Sequence, residues 1–134
     1  MKKIIFIIMF LIINKVKSQS EFWGMTLNGG VNYKGVIFNF NLSSPIINKT
    51  LDFDGVATGS HPRGGLLLAS DKKIYGMTNE GGLYGSSGFG VMFKIDPATG
   101  VYTKLIDFDN TANARYPCGS LMQATDGMLY GTTL

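Results

Sequence analysis

The chain has 134 residues with twelve basic and nine acidic side chains, a formal net charge of +3, and is 45% hydrophobic with eighteen glycines. Its single His and single Cys exclude an intrachain disulfide and a zinc site of three or four nitrogen and sulfur ligands. Nothing in this composition argues for an enzyme or for a bound cofactor.

Met1 to Ser18 stands apart from the rest. Lys2 and Lys3 precede an unbroken apolar run from Ile4 to Ile13, and Val16-Lys17-Ser18 puts small or medium residues at −3 and −1 of a cut before Gln19. That is the layout of a secretory signal peptide over residues 1–18. The apolar run makes about 15 Å of helix against a hydrocarbon core of about 30 Å, so an anchor is disfavoured. No Cys follows it to carry a lipid. Lys2, Lys3, Lys15 and Lys17 leave with this segment, so residues 19–134 carry eight basic and nine acidic side chains, a net charge of −1. Basic-surface arguments for nucleic acid or anionic membrane therefore lapse. The expected destination is outside the cell or on its surface, with no membrane span after cleavage.

From Glu21 onward the chain is a repeat. Trp23-Gly24-Met25-Thr26 is rewritten as Tyr75-Gly76-Met77-Thr78 and again as Tyr130-Gly131-Thr132-Thr133. Gly29-Gly30 returns as Gly81-Gly82, an offset of 52. Gly35-Val36-Ile37-Phe38 returns as Gly90-Val91-Met92-Phe93, and Leu51-Asp52-Phe53-Asp54 as Ile106-Asp107-Phe108-Asp109, both at an offset of 55. Pro62, Gly64, Leu66 and Asp71 return as Pro117, Gly119, Leu121 and Asp126 at the same offset. The added residues lie between Leu83 and Phe89.

Each unit reads as four short strands. Val91, Phe93 and Ile95 alternate with Met92, Lys94 and Asp96, a period of two. Asp96-Pro97-Ala98-Thr99-Gly100 has turn chemistry, and Asp126-Gly127 signals a two-residue hairpin. The complete unit is predicted as antiparallel strands at 64–69, 73–78, 90–96 and 101–108. No sustained helical period follows residue 20. Four strands in a period near fifty mark a blade of a β-propeller. The expectation is an all-β chain of about two blades. Residues 21–54 form a partial blade, 64–110 a complete one, and 119–134 start a third. Propellers use typically 4–8 blades, so the chain reads as a fragment with further blades downstream.

The pattern Asp-Gly-x-x-Tyr-Gly-x-Thr, Gly-Gly, Gly-x-x-Phe-x-Ile-Asp and Leu-x-x-Phe resembles the tandem Gloeo/Verruco (GloVer) repeat of secreted bacterial proteins, over essentially all of residues 21–134. It also looks like a kelch-type blade, although kelch blades usually carry Trp where this chain has Tyr102. The first copy has Asn41-Leu42-Ser43-Ser44-Pro45 in place of the Asp-Pro-x-Thr-Gly turn. The resemblance implies a bacterial, kelch-like propeller scaffold, and a scaffold does not by itself specify a function.

Candidate chemistry is sparse. His61 sits between units, and Tyr116 replaces it in the next copy, so it reads as a surface-loop residue without triad partners. Cys118 replaces Arg63 and is not required by the repeat. The glycines of Gly85-Ser86-Ser87-Gly88-Phe89-Gly90 run into a strand rather than a helix, which excludes a phosphate loop. As an exposed insertion on a scaffold, this loop is the best place for ligand contact. The paired acids Asp52 and Asp54, and Asp107 and Asp109, lack further ligands at calcium-binding spacing. Alternation explains them, with Phe inward and Asp outward. Trp23, Tyr75 and Tyr130 recur at one strand position and read as packing between blades. Asn41 and Asn48 begin glycosylation sequons that carry little weight in a bacterium. No catalytic, cofactor-binding or metal-binding residue is assigned. The expected function is an exported, non-enzymatic binding or interaction scaffold for a protein or glycan. The alternative is part of a secreted carbohydrate-active or other propeller enzyme with its active site largely elsewhere.

Overall fold

The computed structural model describes residues 21–85, 87–111 and 114–134. The expected signal peptide lies outside them. Every regular element described is a strand, and no helix among the described residues is long and apolar enough to cross a membrane.

Nine strands form three antiparallel sheets. β1 (Glu21–Met25), β2 (Val36–Asn41) and β3 (Ser44–Asp52) make the first. β4 (Leu67–Leu68), β5 (Ile74–Thr78), β6 (Val91–Ile95) and β7 (Tyr102–Asp107) make the second, and β8 (Met122–Gln123) pairs with β9 (Leu129–Tyr130) in the third. Each strand pairs with its neighbour in sequence, and the three sheets do not close into a ring. The four-stranded meander expected over 64–108 is therefore present. Its first strand is shorter than expected. The backbone at Gly64 runs against Gly119 of the next repeat, and the Gly65 N–H donates to Ser120 Oγ at 2.7 Å, so this segment binds its neighbour before pairing at Leu67.

Register shows that the sheets are copies. Gly24 pairs with Phe38 in the first sheet and Gly76 with Phe93 in the second. In each pair the ring lies over the glycine, where a Cβ on Gly76 would stand 2.6 Å from Phe93 Cζ. The turns differ as the sequences do. Asp96 Oδ1 accepts the Ala98 N–H at 3.0 Å and its carbonyl accepts the Gly100 N–H at 2.8 Å. In the first sheet, Asn41 Oδ1 accepts the Ser43 N–H at 2.8 Å and closes a tighter turn.

The core lies between successive sheets. Ile37 and Phe53 of the first unit pack with Ile74, Val91, Phe93 and Ile95 of the second, all 3% exposed or less. The rings of Phe53 and Phe93 meet edge to face at 5.8 Å. Met77 and Phe108 of the second unit pack with Leu121 of the third. Trp23 and Tyr75, at the same repeat position, are partly buried against these two clusters in turn. Each sheet thus turns one apolar face back and one forward, as strict alternation requires.

Candidate functional site

The strand ends define two opposite rims. One carries the loops 26–35 and 79–90 and the inter-sheet links 53–66 and 108–121, and the other carries the hairpin turns. The loop rim has a repeated backbone frame. Ser60 and Glu80 exchange N–H···O bonds of 2.8 and 3.1 Å, and the Gly82 N–H donates to Gly55 O at 2.7 Å. The His61 N–H donates to Lys34 O at 3.0 Å, and the Tyr116 N–H donates to Phe89 O at 2.9 Å in the next copy.

Six non-glycine residues among those described have positive φ. Tyr33, His61, Asn110, Ala114 and Tyr116 lie on this rim, with φ between 49° and 64°, and only Lys72 lies on the other. Such conformations cost of order 1–3 kcal/mol each and persist where the surroundings over-determine them, often at binding surfaces.

The two junctions share a frame and differ in side-chain chemistry. The first is charged. His61 Nδ1 lies 3.1 Å from Glu80 Oε2, at ion-pair distance without hydrogen-bond geometry, and Lys34 Nζ donates to Asp54 O at 2.8 Å. His61 lies in the link 53–66, and its side chain is 30% exposed. The second junction is aromatic. Tyr84 meets Phe89 edge to face at 5.6 Å, and Phe89 meets Tyr116 in the same way at 5.6 Å. The Arg115 guanidinium stands 5.7 Å from the Tyr116 ring centroid. Phe89 and Tyr116 are half-buried, and Tyr84 and Arg115 exposed. A half-buried ring, packed against the cluster of Met77, Phe108 and Leu121, thus joins an exposed aromatic edge to a ring beside a cation. The sequence reading singled out the loop but not this constellation. The available signal was the substitution of Lys34 and His61 in the first copy by Phe89 and Tyr116 in the second.

The paired aspartates have other work. Asp52 accepts the Val31 N–H at 3.0 Å and pairs with Lys49, and Asp107 accepts the Leu83 N–H at 2.8 Å and pairs with Lys104. Each carboxylate therefore holds the residue after a double glycine. Asp54 Oδ1 accepts the N–H groups of Val56, Ala57 and Thr58 within 2.9 Å. Burial pushes the Asp54 carboxyl up, but hydrogen bonds from Thr58, Ala57 and Val56 outweigh it and hold the group below its ordinary range. The hydrogen bond from Lys49, then that from Val31, holds Asp52 low as well. Asp109 Oδ1 accepts both the N–H and the hydroxyl of Thr111. Among the described residues no three His, Cys, Asp or Glu side chains gather as a metal site.

Cys118 is half-buried, with its N–H 3.4 Å from Thr132 O. At the opposite rim a cavity of about 480 Å³ opens beside Trp23, Leu66, Leu68, Lys72, Ile74 and Pro97. It recurs at the second junction as a smaller one of about 230 Å³, with Tyr75, Gln123, Gly127 and Leu129 at repeat-equivalent positions. The space is therefore a product of how neighbouring sheets splay. The aromatic junction occurs once among the described residues, which makes it the better candidate.

A profile described as the Gloeobacter/Verrucomicrobia repeat matches residues 12–134. No curated protein and no solved structure matches the chain.

Proposed function

The chain belongs to the Gloeobacter/Verrucomicrobia repeat family, and we propose that it is an exported, non-enzymatic binding scaffold whose loop rim takes a glycan. The sheets act as kelch-like, propeller-type blades in this reading. Support comes from the four-stranded meander, the core between successive sheets and the return of the same loops on one rim. Export rests on the signal-peptide pattern of residues 1–18.

The observation that carries the ligand class is the aromatic junction. Tyr84 offers an exposed ring edge, and Arg115 offers a planar donor group beside Tyr116. Sugars present apolar C–H faces and rings of hydroxyls, which suit an aromatic platform flanked by a hydrogen-bonding cation. Asp54 and Asp107 on the rim hold backbone N–H groups, which suits retention of a ligand better than acid–base chemistry at it.

Whole chain expressed with its own leader and screened on a glycan microarray checks this. Retention of a defined glycan class is expected, weakened about tenfold, or 1.4 kcal/mol, by Tyr84→Ala with Arg115→Ala, and unchanged by Lys72→Ala on the opposite rim. No retention, or equal retention by the double variant, would reject the reading. New reducing ends released from a retained glycan would favour an enzyme instead.

A further inference from the structure

The loop rim carries a row of exposed apolar side chains that runs from one unit to the next. Val31 and Tyr33 stand on loop 26–35, 74% and 80% exposed, and Leu83 and Tyr84 on loop 79–90, 70% and 55% exposed. Each pair sits on the same tight turn. Gly30 O accepts the Tyr33 N–H at 3.3 Å, and Gly82 O accepts the Gly85 N–H at 3.0 Å. Val31 and Leu83 follow the double glycine, and Asp52 and Asp107 accept their N–H groups. The tips are therefore held in place with their side chains in solvent.

This exposure is a property of the loop itself. Loop 79–90 has a link packed on each side. The Gly82 N–H donates to Gly55 O in link 53–66 at 2.7 Å, and the Tyr116 N–H of link 108–121 donates to Phe89 O at 2.9 Å. Leu83 and Tyr84 stay in solvent with both neighbours in place. The row is also continuous. Loop 26–35 rests on the start of link 53–66, where Asn32 Nδ2 donates to Phe53 O at 3.0 Å and Lys34 Nζ to Asp54 O at 2.8 Å. The next residue, Gly55, holds Gly82 of the second loop, and Val56 after it is 53% exposed. Val31, Tyr33, Val56, Leu83 and Tyr84 thus share one backbone frame. Apolar side chains gathered in this way mark an interaction surface, whereas scattered ones do not.

We propose that the glycan bound at this rim is a linear polysaccharide lying across successive units, with Tyr84 and Tyr33 as separate contact points along it. This rests on the glycan reading above and deepens it. A monosaccharide fits one aromatic platform. Stacked sheets stand about 10 Å apart, so tyrosines on neighbouring units are reached together only by an oligomer. A polymer suits the rim better than a folded protein because the row repeats with the unit. One Tyr and one aliphatic residue per loop meet a partner that itself repeats. A ligand held at linked points gains avidity over either point alone.

Calorimetry of the whole chain with size-fractionated oligomers of mannan, xylan, laminarin, pectin and chitosan, from disaccharide to hexasaccharide, tests this. Affinity for the bound type should rise about tenfold or more with oligomer length, and Tyr33→Asn should remove that rise. Asn accepts the left-handed backbone of position 33, where φ is 57°, and circular dichroism checks that the strand signal is kept. Val56→Ser, on the link, is the second variant and should weaken the long oligomers in the same direction. A disaccharide bound as tightly as the hexasaccharide would overturn the proposal, as would a rise with length that survives both substitutions. Either result leaves the glycan reading standing. Binding to none of these glycans also overturns the proposal, and a blank microarray removes the glycan reading with it.

Discussion

The double glycine shows how one residue type serves the repeat. Gly82 has φ +97°, and a Cβ there would stand 2.7 Å from Asp107 Oδ1 and 3.0 Å from Val91 Cγ1. The carboxylate it would strike is the one that accepts the Leu83 N–H. Gly30 repeats the arrangement with Asp52 and the Val31 N–H. Gly127, in the hairpin between β8 and β9, has φ +86° and open space around it. Gly127→Ala should therefore cost only the left-handed penalty, about 1 kcal/mol. Gly82→Ala should cost about 2–3 kcal/mol, because it adds a collision and displaces the hydrogen bond from Leu83 to Asp107. Urea denaturation of the two variants separates the contributions. Equal losses would show that the Asp107 contact does not constrain the loop.

Tyr102 shows what a strand gains from the link beside it. It sits on β7, stacks on Phe93 at 5.0 Å, and donates its hydroxyl to Thr58 O at 2.9 Å. The second sheet is thereby fastened to the segment leading out of the first. Burial raises the phenol well above its ordinary value of 10.0, with Asp54 and Asp107 adding to the shift. A raised acid favours the folded state in its neutral form. Its stabilisation is full below the unfolded value and is lost as pH climbs beyond it toward the folded one. The chain should thus lose stability above about pH 10. Tyr102→Phe should cost about 1–2 kcal/mol at neutral pH, from the hydrogen bond and the carbonyl left behind. It should also flatten the alkaline limb. Thermal melts at neutral pH and in the alkaline range check both, and an unchanged alkaline limb in Tyr102→Phe would place the titration elsewhere.

At the scale of the molecule, stability resides between sheets. Phe53 and Phe93 are fully buried, Phe53 just past the end of β3 and Phe93 on β6 of the second sheet. Phe53→Ala should cost about 3–5 kcal/mol. Because the cavity opens at a shared interface, the first and second sheets should weaken together. Tryptophan fluorescence reports the first sheet through Trp23, the only Trp in the chain, and hydrogen exchange at β6 reports the second. Coincident shifts are expected, and a shift confined to Trp23 would show that the sheets unfold independently.

The sequence by itself determined the all-β class, the antiparallel strands and their turns. Period-two alternation with Asp-Pro-x-Thr-Gly and Asp-Gly turns leaves antiparallel neighbours as the low-entropy pairing, and internal repetition supplies its own control. Alternation carried past the ends of β3 and β7 also predicted that Phe53 and Phe108 point inward, and both are buried. Tertiary structure alone decided what Asp52 and Asp107 hold, since their partners Val31 and Leu83 lie 21 and 24 residues away in sequence. It alone assembled Tyr84, Phe89, Tyr116 and Arg115, which come from a loop and a link that meet only after two sheets have stacked. It shortened β4 as well, where contact with the next repeat competes with pairing inside the sheet. Local pattern governs what one strand does. The distance between residues that close a loop or cross a sheet junction is absent from any local pattern, and that distance made the site.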